Sequence, residues 1–61
     1  MITLIVEFNE SIGFWQFIVK EEGEIIHFRP GFRTREHAEQ VGDGWIRDNL
    51  GGIPLEEDKE G

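Results

Sequence analysis

A chain of 61 residues with no cysteine and a net charge of −7 has room for one small acidic domain. A domain of this length buries only about 60% of the surface its unfolded form exposes, and the missing cysteines exclude disulfides, thiolate chemistry and cysteine-based zinc sites. An acidic body also repels a polyanion at long range, which disfavours general nucleic-acid binding.

The first residues lack the basic start and small-residue cleavage pattern of a secretory signal, and no apolar run is long enough to cross a bilayer, so a soluble cytoplasmic protein is expected. Ile2, Leu4, Val6 and Phe8 alternate with Thr3, Ile5 and Glu7, the period of two that marks a strand with a buried face. Asn9, Glu10, Ser11 and Gly13 form a turn cluster, because glycine takes positive φ freely and asparagine bonds its own backbone. A second strand over 14–20 sets Trp15, Phe17 and Val19 on one face and Phe14, Gln16 and Ile18 on the other. Glu21, Glu22 and Gly23 make an acidic turn into a third strand over 24–29, where Ile25 and Ile26 are expected on opposite faces. Pro30 and Gly31 are expected to end it, since proline cannot donate to a ladder.

Over 34–50 the apolar period changes to that of a helix. Thr34 is a good N-cap and Glu36 places favourable charge in the first turn, although His37 stands where a capping box needs Glu or Gln. Ala38, Val41, Gly42, Trp45 and either Ile46 or Asn49 form the inward stripe, with Trp45 as its anchor. Gly42 and Gly44 each cost a helix interior about 0.8–1.0 kcal/mol relative to Ala. Gly42 lies on the stripe, where a missing side chain lets the helix approach the sheet; Gly44 lies outside it and has no equivalent reason. Gly51 and Gly52 supply a C-cap. Residues 53–61 read as a flexible acidic tail, in which Glu56, Glu57, Asp58 and Glu60 against Lys59 carry −3 and leave −4 in the body. The expected fold is α+β, a three-stranded antiparallel sheet followed by one helix over residues 1–52.

No catalytic, metal or cofactor site is expected. The His37-x-Glu39 pair lacks the downstream cysteines of a zinc deaminase, His27 and His37 lack zinc spacing, and there is neither a Ser-His-Asp set nor a glycine-rich phosphate loop. Arg29, Arg33 and Arg35 gather three of the six basic residues at the start of the helix, where backbone N–H groups also point outward. They form a candidate anion contact, with pairing to Glu36, Glu39 or the Glu21, Glu22 and Glu24 turn as the more ordinary reading. A stronger signal is geometric. If Leu4, Val6, Trp15, Phe17 and Val19 meet the single helix, then Ile5, Phe14 and Ile18, with Ile26 or Ile25, face away from it and form a candidate interface.

The runs Trp15-Gln-Phe-Ile-Val-Lys20, Gly23-Glu-Ile-Ile26, Gly31-Phe-Arg-Thr34 and Ala38-Glu39 resemble the YegP-like family of small uncharacterised bacterial proteins over 14–46. That family has an aromatic-x-aromatic-x-aliphatic-Lys strand, a Gly-Glu turn and an aromatic-x-Ser/Thr helix start. The helix departs from it, with Gly42-Asp43-Gly44-Trp45 replacing the family's Gly-Ile and Ser-Val pattern. The Gly31-Phe-x-Thr34 start followed by Ala38 is also similar to the AP2-like and arm-binding domains of phage integrases, a resemblance that implies DNA binding by the open sheet face. The leading expectation is a non-catalytic interaction or regulatory module that self-associates, most simply as a homodimer, or binds another protein through that face. A DNA-binding domain and a phage or mobile-element inhibitor presenting an acidic surface are the alternatives.

Overall fold

The computed structural model describes residues 1–52 with their side chains and the backbone of Leu55–Lys59. Ile2–Asn9 (β1) and Phe14–Glu21 (β2) pair antiparallel, with Leu4 opposite Val19, Ile5 opposite Ile18 and Val6 opposite Phe17. Their connection is built as its residues suggest. Asn9 accepts from the Ser11 backbone N–H at 3.0 Å through its side chain and from Gly13 at 2.8 Å through its carbonyl, while Gly13 takes φ 75°.

Glu24–Phe32 (β3) pairs antiparallel with β2. Glu22 (φ 52°) and Gly23 (φ 82°) both occupy positive φ in the two-residue turn, as the type I′ geometry that matches strand twist requires. The Met1 ammonium donates to the Glu22 carboxylate and holds this exposed carboxyl below its ordinary value.

Pro30 and Gly31 do not end the third strand. The ladder continues to Phe32 because β3 is an edge strand, where proline's missing N–H need not break a hydrogen bond on both sides. Gly31, at φ 96°, is the extra residue of a bulge between the Gln16–Pro30 and Trp15–Phe32 pairs. A second bulge lies at the other end, where the partners of Val19 and Lys20 are His27 and Ile25 and Ile26 is left over.

The helix Arg35–Asn49 (α1) follows directly. The Thr34 hydroxyl accepts from the His37 backbone N–H at 3.1 Å, and Gly51, at φ 66°, donates to the Ile46 carbonyl at 3.0 Å to close the last turn. Three antiparallel strands followed by one helix are thus the α+β order read from the sequence. The sheet itself has four strands. Leu55–Lys59 (β4), within the segment expected to be a flexible tail, pairs parallel with β1 from Thr3–Leu55 to Glu7–Lys59, in the order β3-β2-β1-β4. The rest of that segment lies outside the described residues.

One face of the sheet and the inner side of α1 enclose the core. Leu4, Val6, Phe17, Val19, Phe32, Ala38 and Ile46 are buried, with Ile2, Trp15, Val41, Trp45 and Leu50 packed around them. Ile46, not Asn49, takes the last inward position, and Trp45 is a flanking residue rather than the anchor, because its ring lies over His27.

Gly42 lies where the two layers come closest. A Cβ there would stand 2.7 Å from Leu4 Cδ1 and 3.2 Å from Phe17 Cγ, and both side chains are fully buried, so making room displaces their core neighbours. At Gly44 a Cβ would meet nothing within 4 Å. The two glycines therefore respond oppositely to alanine. Gly44→Ala is expected to stabilise the fold by about 0.8–1.0 kcal/mol through helix propensity. Gly42→Ala is expected to destabilise it by about 1–3 kcal/mol through overpacking. Urea unfolding of the two variants beside the native chain measures both signs.

Candidate interaction face

Strand register defines the side of the sheet away from α1. Directly opposed residues share a face, so Ile5, Ile18 and Phe28 form one row across β1, β2 and β3. Ile5 is only 4% exposed although no helix covers it, Ile18 is half-buried, and Phe28 is 50% exposed at the edge.

The neighbouring rows differ in chemistry. On one side Glu7 and Gln16 are opposed, and beyond them Asn9 and Phe14. The Gln16 amide donates to Glu7 Oε2 at 2.6 Å, and its carbonyl oxygen accepts from Asn9 Nδ2 at 2.9 Å. With both ends of its amide bonded, Gln16 is 95% buried on this face without an orphaned polar atom. On the other side of the apolar row lie Thr3 and Lys20, with Ile25 opposite Lys20. Alternation from Phe28 puts Ile26 on this same face. The expected choice between Ile25 and Ile26 therefore disappears, because two residues of the bulge oppose one of β2.

All four candidate interface residues, Ile5, Phe14, Ile18 and Ile26, share this face by register, with Phe14 and Ile26 exposed. Phe28 and Pro30 join them, and the sequence signal for Phe28 was available as the i+2 neighbour of Ile26. The candidate anion contact is placed elsewhere. Arg29 is opposite Phe17 and so belongs to the helix side at the β3 edge, Arg33 is exposed in the connection, and Arg35 is the half-buried first residue of α1. Lys20 is the one basic residue on the open face among those with described side chains.

The two histidines take part in ring packing. His37 meets Phe32 edge-on at 5.1 Å, while His27 stacks on Trp45 at 4.2 Å with planes 4° apart. Among the described residues no three His, Asp or Glu side chains are grouped to hold a metal, and no helix is long and apolar enough to cross a membrane. The chain matches no family model, no curated protein and no solved structure.

His27 Nε2 is buried and has no hydrogen-bond partner among the described residues. An orphaned buried polar atom costs about 1–3 kcal/mol, whereas a phenyl ring keeps the stack and removes the atom. His27→Phe is expected to raise the melting temperature by several degrees in a domain of this size, as read by circular dichroism on heating.

Proposed function

We propose that this protein is a non-catalytic interaction module that self-associates, or binds another protein, through the open face of its sheet. The observation that carries the reading is the group of exposed apolar side chains, Phe14, Ile25, Ile26 and Phe28, around half-buried Ile18 on the side that α1 leaves uncovered. Apolar surface held together in this way favours contact with another apolar surface, and a small domain without covalent staples gains most from such contact. The same reading has the protein act in the cytoplasm. It includes kinship with the YegP-like family, which the order of aromatic strand, Gly-Glu turn and Thr34-capped helix supports. The DNA-binding alternative draws less support, since among the residues with described side chains the open face offers Lys20 as its one basic group while the arginines lie at the edge and in the helix start.

Sedimentation equilibrium tests the reading. The native chain is expected to show a concentration-dependent dimer or to retain a protein partner in pull-down, and Ile18→Lys or Phe28→Lys, still folded by circular dichroism, is expected to abolish the association. Phe28→Lys is the safer variant for folding, because its side chain is half exposed in the single chain. A monomeric native protein that retains no partner removes the proposal.

A further inference from the structure

We draw no further inference here: the strongest candidate, the apolar patch of Phe14, Ile25, Ile26 and Phe28 on the open face of the sheet, carries nothing beyond the proposed function, because nothing in the structure shows what covers it.

Discussion

The contact between the backbone of α1 at Gly42 and the side chains of Leu4 and Phe17 sets the spacing of the two layers. A single helix must shelter a whole sheet face, and it can do so only by lying close to it. With no side chain at Gly42, the Leu4 methyls and the Phe17 ring fill the space directly beneath the helix. Ala38 and Ile46, a turn to either side, then reach the same buried cluster. The helix propensity given up at Gly42 is offset by this packing, since interiors stabilise through dense contact. Thr34 and Gly51 fix where the helix starts and stops, so the stripe meets the sheet in one register.

That arrangement divides the labour of the sheet. One face packs under α1, and the other holds apolar and polar side chains that lie outside the main core. The open face is still ordered. Gln16 ties Asn9 and Glu7 across the β1–β2 pair, and Ile5 is nearly covered, so the face is a shaped surface rather than a loose collection of side chains. A surface organised before contact loses less conformational freedom on binding.

The local code was legible where a single segment decides the outcome. Alternation from Ile2 to Phe8, the Asn9 turn, the Thr34 cap and the glycine on the helical stripe each depend on neighbours in sequence, and each has the role its residue type implies. Pro30-Gly31 was harder to read, because the same pair ends a central strand but makes a bulge on an edge, and edge position follows only from the assembled sheet. The segment Leu55–Lys59 has no apolar alternation to announce a strand, and its pairing with β1 joins residues far apart in the chain. The open face was visible in outline from the same alternation. Its polar end was not, because burial of Gln16 depends on acceptor and donor groups brought in by β1, and the place of Ile25 depends on a bulge.

The paired irregularities of β3 have a consequence for solubility. A nine-residue border strand carrying Ile25, Ile26 and Phe28 presents the ingredients of fibril growth, in which successive chains add on along unpaired backbone. Fibrils need a straight, regular template. A bulge at each end winds the border more tightly and throws its free amides out of line, and Pro30 lacks an amide hydrogen altogether. Recruitment by stacked backbone is thereby blunted, although the apolar side chains of this border stay at the surface.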